Sequence, residues 1–369
     1  MSKLFEATTI NGMRLSNRFV RSATWEGMAA DDGTVTPKLI ETNVALARGC
    51  VGLIISGHCY VRREGQAGPW QLGISSDNCI PGLRSLTEAV HKAGGKIVAQ
   101  LAHAGNFASE ALTGEPPWVV SNFAGLANSP RREMTAADIK QIVLGFAEAA
   151  GRAKLAGFDG VQLHSAHGYL LSQFLSPAFN KRQDNYGGDI RNRGRVHLEA
   201  LHAIRDAVGK SYPVLIKMNC CDFIDNGLML DDSLKFAELL ADAGIDAIEL
   251  SGGTLKGGPL SPSRVGIDSE DKEAFYREEA RDFKKRIGVP LIVVGGMRSF
   301  EVAEQLVEDG VADYIALSRP LIREPHLIER WKQGDRRKAE CKSDNLCFRP
   351  ALKGAGIYCV NALRQSGKA

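Results

Sequence analysis

The feature that most limits the fold of this chain is an alternation repeated eight times. Short apolar runs occupy residues 18–24, 51–57, 96–102, 160–164, 213–219, 247–253, 289–296 and 312–319. Helical spacing of apolar residues fills 38–48, 82–93, 134–156, 190–208, 231–243, 275–287 and 299–309, with Thr135 at an expected N-cap. Runs that are apolar on both faces and alternate with helices predict a parallel sheet covered by helices. Eight such units in one chain predict α/β architecture of the closed kind, a single-domain (β/α)8 TIM barrel. The alternative is an open doubly wound sheet, which usually shows a Gly-rich fingerprint after an early strand, and none is present.

Composition narrows the function classes. At 369 residues and 44% hydrophobic content the chain can bury a large core. The net charge of +3 is spread along the chain, so no nucleic-acid partner is expected. The N-terminal residues are polar, and no run approaches the ~20 apolar residues of a membrane span, so neither a secretory signal nor a membrane partner is expected. Five of the eight cysteines, Cys50, Cys59, Cys79, Cys220 and Cys221, lie in or near strand-like segments without disulfide-framework spacing, which fits a reducing, cytoplasmic location.

A barrel builds its active site at the C-terminal ends of its strands. The first run ends in Ser22-Ala23-Thr24-Trp25, the second in Gly57 and His58, and the third carries Gln100 and runs into His103. The fifth carries Lys217 and Asn219, the sixth ends in Ser251-Gly252-Gly253, the seventh in Gly295-Gly296 and the eighth in Ser318-Arg319. The richest end is the fourth, GVQLHSAHGYLLSQFLSP, which gathers His164, His167 and Tyr169 within six residues. Two imidazoles can grip a carbonyl oxygen and stabilise charge developing on it, and a phenol can deliver a proton. A metal pair and a packed buried histidine pair are the competing readings of HxxH, and no third metal ligand lies in the stretch. Backbone N–H groups at GGM and SRP, each before a helix, predict a phosphate site with Arg319 beside it; a tight turn is the alternative for the Gly pair.

The segments NRFVRSAT, GGKIVAQLAHAG, GVQLHSAHGYLLSQFLSPAFNKRQDNYGGDIRNRGR and VVGGM…ADYIALSRPLIREP together make the whole chain resemble the Old Yellow Enzyme family of FMN-dependent NAD(P)H:flavin oxidoreductases and ene-reductases. The resemblance implies one non-covalent FMN at the strand ends and NAD(P)H as electron donor. It implies that His164 and His167 hold the substrate carbonyl, that Tyr169 is the proton donor, and that Gln100 bonds the flavin pyrimidine edge. Lys217 falls where the family usually has Arg; it keeps the cation and loses the planar fork. Ala23, Thr24 and Gly57 would line the ring, and Gly295, Gly296, Ser318 and Arg319 would hold the phosphate. The family usually has Gly where Ser318 stands.

Two departures stand out. Trp25 occupies a position where the family usually has Thr or Cys, with Thr24 one residue short; Trp25 is expected to narrow the substrate space, the alternative being a packed aromatic outside the site. The tail 338–362 is similar to the cysteine segment that holds a [4Fe–4S] cluster in longer relatives such as 2,4-dienoyl-CoA reductase. Here Cys341, Cys347 and Cys359 stand at three ligand positions and Asp344 at the fourth. Four thiolates are preferred and a carboxylate is a poorer ligand, so the segment reads as a relic of a cluster site, with a zinc site or labile cluster as alternatives and no intact [4Fe–4S] expected. An FMN-binding barrel is thus expected over 1–335 and a cysteine-containing extension over 336–369. The expected activity is reduction of the C=C bond of an α,β-unsaturated carbonyl, a small-molecule enone or enal. The alternatives are an NADH:flavin oxidase passing electrons to O₂ or quinone, and a non-catalytic flavoprotein subunit. Relatives imply a homo-oligomer, dimer or tetramer.

Overall fold

The computed structural model describes residues 2–367. Eight parallel strands close on themselves: β1 (Phe19–Arg21), β2 (Leu53–Ile55), β3 (Ile97–Ala102), β4 (Gly160–Ser165), β5 (Val214–Asn219), β6 (Ala247–Ser251), β7 (Leu291–Val294) and β8 (Tyr314–Leu317). Each pairs with its successor, and β8 pairs back onto β1 through Ile315 and Phe19, which leaves no free edge in the ring. Helices α1 (Pro37–Arg48), α2 (Ile80–Lys92), α3 (Ala136–Leu155), α4 (Arg195–Val208), α5 (Leu230–Asp242), α6 (Arg277–Arg286), α7 (Phe300–Glu308) and α8 (Leu327–Lys332) follow the strands in turn. This is the (β/α)8 barrel that the alternation predicts.

Local chemistry starts the helices where the sequence signals them. Thr36 caps α1, with Pro37 at the first helical position. Thr135 and Asp138 form a reciprocal capping box at α3. The segment 190–208 is broken rather than continuous: Ile190–Arg193 and α4 are separated at Gly194, where a side chain would run into Phe236 of α5. An unforeseen hairpin, Thr8–Ile10 with Met13–Leu15, turns at Asn11-Gly12, both with positive φ. Its Ile10, Met13 and Leu15 plug the N-terminal mouth of the barrel against Val20, Leu53, Val98 and Leu215.

The site follows from strand parity. Side chains at alternate positions share a face, and Val20, Val98, Leu215 and Ala247 point into the barrel. Two residues on, the same inner face carries Ser22, Gln100, Lys217 and Glu249. The barrel is therefore apolar below and polar above. The tail closes over this polar end. Gly266 N donates to the Ser343 carbonyl at 3.2 Å and Ile357 N to the Glu26 carbonyl at 2.8 Å, and Lys38 Nζ donates to the Ala355 carbonyl at 2.6 Å.

Candidate active site

A cavity of about 540 Å³ opens at the C-terminal ends of the strands. Its floor is a chain of buried polar groups. Register sets Lys217 beside Glu249 and Gln100 beside Gln162. Lys217 Nζ lies 2.9 Å from Glu249 Oε1 and 2.7 Å from Ser22 Oγ, which itself donates to Glu249 Oε1 at 2.6 Å. Gln162 Nε2 donates to Glu249 Oε2 at 2.8 Å, and Gln100 Nε2 to Gln162 Oε1 at 2.7 Å. Lys217 and Gln100 reach the cavity; Glu249 and Gln162 stand behind them, both fully buried. A buried carboxylate and ammonium are tolerable only when paired and hydrogen-bonded, as these are.

One wall carries the imidazoles and the phenol. His164 is the last inward residue of β4; its ring lies 5.4 Å from that of His167 and 4.7 Å from that of Tyr169, centroid to centroid. The turn that gathers them puts His167 at φ +65°, a left-handed conformation that costs a residue with a Cβ about 1–2 kcal/mol. His167 is held there by its N–H on Asn219 Oδ1 at 3.2 Å and by its Nε2 2.8 Å from Ser251 Oγ. Burial first, then the neighbouring His167 and His58 rings for His164 and the Lys217 cation for His167, hold both imidazoles well below 6.5, so each is neutral at physiological pH. Nδ1 of His164 is buried without a hydrogen-bond partner among the described residues. Burial pushes the Tyr169 phenol up to about 12, which keeps its proton on it.

The opposite end is built by β7 and β8. Gly295 and Gly296 have φ of +150° and +74°, and a side chain on Gly296 would press on the Phe275 ring. Just ahead of α7, the loop residue Arg298 and the N-cap residue Ser299 are tied back to the barrel: Glu273 accepts from Arg298 N at 2.6 Å, Ser299 N at 2.8 Å and Ser299 Oγ at 2.7 Å. At this end the cavity is lined by the Gly295-Gly296 turn and by Ser318-Arg319. Arg319 opens the short helix Arg319–Arg323 directly after Ser318, and its Nη1 donates to Asn345 Oδ1 at 2.8 Å.

The remaining expected residues divide. Ala23, Thr24 and Trp25 line the cavity, and Thr24 Oγ1 is 2.7 Å from Ser318 Oγ. Gly57 does not line it: the Glu26 carboxylate sits where a side chain on residue 57 would be, and Gly57 serves close packing behind the wall. None of Cys341, Asp344, Cys347 and Cys359 lines the cavity, and among the described residues no three His, Cys, Asp or Glu side chains are arranged to hold a metal ion. Asp344 accepts from Asn361 Nδ2 at 2.7 Å. Gln162, Glu249, Gln71 and the ring of His58 were not assigned to the site from sequence. For Gln162 and Glu249 a signal existed: each is a polar residue with an apolar residue on either side within a barrel strand.

Comparison with known proteins agrees with this geometry. The NADH:flavin oxidoreductase / NADH oxidase family matches residues 3–338. The NADH oxidase of Thermoanaerobacter brockii is 36% identical over 352 residues, which cover 93% of this chain and 53% of the relative, so the chain spans about half of that protein's length. The NADPH dehydrogenase of Bacillus subtilis is 35% identical over 326 residues, 88% of this chain and 92% of the relative. The solved structure of the old yellow enzyme homologue from Zymomonas mobilis matches with a TM-score of 0.79 at 25% identity, over 98% of each chain. Among the described residues no helix is long and apolar enough to cross a membrane. With a closed barrel, a polar floor, a histidine–tyrosine wall and a family match over nine-tenths of its length, this chain belongs to the NADH:flavin oxidoreductase / NADH oxidase family.

Proposed function

We propose that the protein is an FMN-dependent NAD(P)H oxidoreductase that reduces the C=C bond of α,β-unsaturated carbonyl compounds. The cavity fits FMN by the chemistry of its donors. An amide and an ammonium stand together on the floor, small residues Ala23 and Thr24 leave room for a flat ring, and Arg319 with the Gly295-Gly296 turn offers a cationic, N–H-rich end for a phosphate. Gln100 and Lys217 would hold the pyrimidine edge, and Gly295, Gly296, Ser318 and Arg319 the phosphate. Bound FMN would supply the two-electron exchange between nicotinamide and substrate.

The rest of the chemistry belongs to the chain. The observation that carries the reading is the meeting of His164, His167 and Tyr169 on one wall of the cavity that Gln100 and Lys217 floor. Neutral imidazoles donate N–H bonds to a carbonyl oxygen without placing a full cation beside it. Such donors stabilise charge that grows on the oxygen as the β-carbon is reduced. Tyr169, still protonated at neutral pH, then delivers its proton to the α-carbon and is refilled from solvent. The walls narrow the water-exposed volume around that transfer.

Anaerobic turnover of 2-cyclohexenone with NADH and with NADPH tests the reading and the choice of nicotinamide together. Saturated ketone formed at the rate of nicotinamide oxidation supports it. Rapid nicotinamide oxidation that needs O₂ and gives no saturated ketone would replace it with the oxidase activity for which the Thermoanaerobacter relative is named. A reducing, cytoplasmic setting is part of the proposal, in keeping with eight free cysteines, as is assembly into a dimer or tetramer.

A further inference from the structure

Glu249 does not touch the cavity, yet every polar group on the floor leads to it. Its Oε1 accepts from Ser22 Oγ and Lys217 Nζ, and its Oε2 from Gln162 Nε2. An ionised carboxylate can only accept. Gln162 must therefore turn its amide nitrogen toward Glu249 and its carbonyl away. That carbonyl can only be met by a donor, and Gln100 Nε2 meets it at 2.7 Å. Gln100 is left with its carbonyl oxygen for the cavity. The donor–acceptor sense of three side chains thus follows from one buried charge, and the same charge compensates the Lys217 cation.

We propose that Glu249 is a positioning residue that fixes both the net charge and the hydrogen-bond sense of the cavity floor. The floor then offers an acceptor at Gln100 beside a compensated donor at Lys217. That is the complement of an imide edge, a ring N–H flanked by carbonyl oxygens. The inference rests on the FMN reading and goes beyond it, because it assigns the setting of flavin electronics to a residue that FMN cannot touch. A protein tunes a flavin through charge and hydrogen bonds at its ring nitrogens. A compensated lysine favours negative charge on the pyrimidine less than a free cation does.

The test uses purified protein loaded with FMN. It reads the midpoint potential by dye equilibration and the FMN dissociation constant by fluorescence quenching. Glu249→Gln keeps the shape and removes the charge, and the midpoint is expected to shift to more positive values. Glu249→Asp keeps the charge and should stay near the parent protein. Gln162→Leu cuts the relay but leaves the ion pair, so the midpoint should hold while FMN binding weakens about tenfold, as for a buried acceptor left unaligned. A midpoint unchanged or lowered in Glu249→Gln overturns the inference, as does unchanged FMN affinity in Gln162→Leu; a purely structural ion pair would give those flat results. If Glu249→Gln does not fold, Lys217→Met is compared with Lys217→Met/Glu249→Gln, a neutral pair of similar volume. The double variant must then have the more positive midpoint. Failure of the parent protein to bind FMN would sink the FMN reading and this inference with it, whereas FMN binding with flat variants sinks this inference alone.

Discussion

The phenol oxygen of Tyr169 lies 3.4 Å from Nε2 of His58. The sense of that contact is set from behind. Gln71 Oε1 accepts the Ala67 N–H at 2.7 Å, so the Gln71 amide nitrogen faces His58 Nδ1, 2.6 Å away. Nδ1 is then the acceptor and Nε2 carries the proton, which points at the Tyr169 oxygen. Burial holds His58 down to about 4, so it is a neutral donor. The arrangement leaves the phenol's own hydrogen free for the cavity and gives the oxygen a partner once that proton has left.

Two substitutions separate these roles. Tyr169→Phe is expected to lower enone turnover by about 10²–10⁴, the range for loss of a general acid, with reduction of the bound flavin by NAD(P)H unchanged. His58→Phe is expected to slow the same step by about tenfold, as for one lost hydrogen bond to a developing charge. It should also raise the solvent deuterium isotope effect on substrate reduction in stopped flow. An unchanged isotope effect in His58→Phe would reduce His58 to packing.

Trp25 lines the cavity beside Thr24, and Thr24 spends its hydroxyl on Ser22 and Ser318. Trp25→Thr removes most of a large ring from the wall. Enones with bulky β-substituents are expected to gain in kcat/KM relative to 2-cyclohexenone. A substrate range that does not move would place the indole outside the space the substrate occupies.

Asn345 ties the tail to the barrel, accepting from Arg319 Nη1 at 2.8 Å and donating to the Ser263 carbonyl at 2.7 Å. Asn345→Ala should free the Arg319 guanidinium and weaken FMN binding by about 1 kcal/mol, roughly fivefold, without changing riboflavin binding. Equal losses for FMN and riboflavin would move the effect away from the phosphate.

The stability of the protein should depend on pH in two opposed ways. Burial holds His58 at about 4 and His103 and His197 at about 3, all below the ordinary 6.5. The unfolded chain therefore binds more protons between those values and 6.5. The contribution is full above pH 6.5 and is lost as pH falls toward 3–4, at about 1.4 kcal/mol per unit of displacement for each group. Glu26 works the other way: burial raises it from 4.5 to about 7, so its contribution is full below 4.5 and is lost as pH rises through 7. Thermal unfolding followed by circular dichroism should give a Tm that falls below pH 6.5. Glu26→Gln should steepen the net rise of Tm between pH 4.5 and 6.5, because the opposing slope is gone; an unaltered slope would show that burial does not raise Glu26 against the pull of Arg21.

Periodicity alone was enough for the barrel, because strands apolar on both faces and spaced by amphipathic helices have few other ways to bury themselves. The same reading reached His164, His167, Tyr169, Gln100 and Lys217, since strand C-terminal ends are identifiable before any contact is known. The hairpin at Asn11-Gly12 lay outside that pattern, although the dipeptide between Thr8–Ile10 and Met13–Leu15 is a turn signal in its own right. What periodicity could not supply were relationships across the barrel. Glu249 meets Gln162 and Ser22, on strands far apart in sequence, only once the ring has closed. Glu273 holds Arg298 and the cap residue Ser299 ahead of α7 through a loop contact that no local pattern encodes, and His58, just after β2, finds Tyr169, just after β4. Local propensity and hydrophobic spacing are properties of neighbours along the chain. The pairing of buried charges, and the donor sense passed along a buried hydrogen-bond chain, depend on which strands tertiary closure brings side by side.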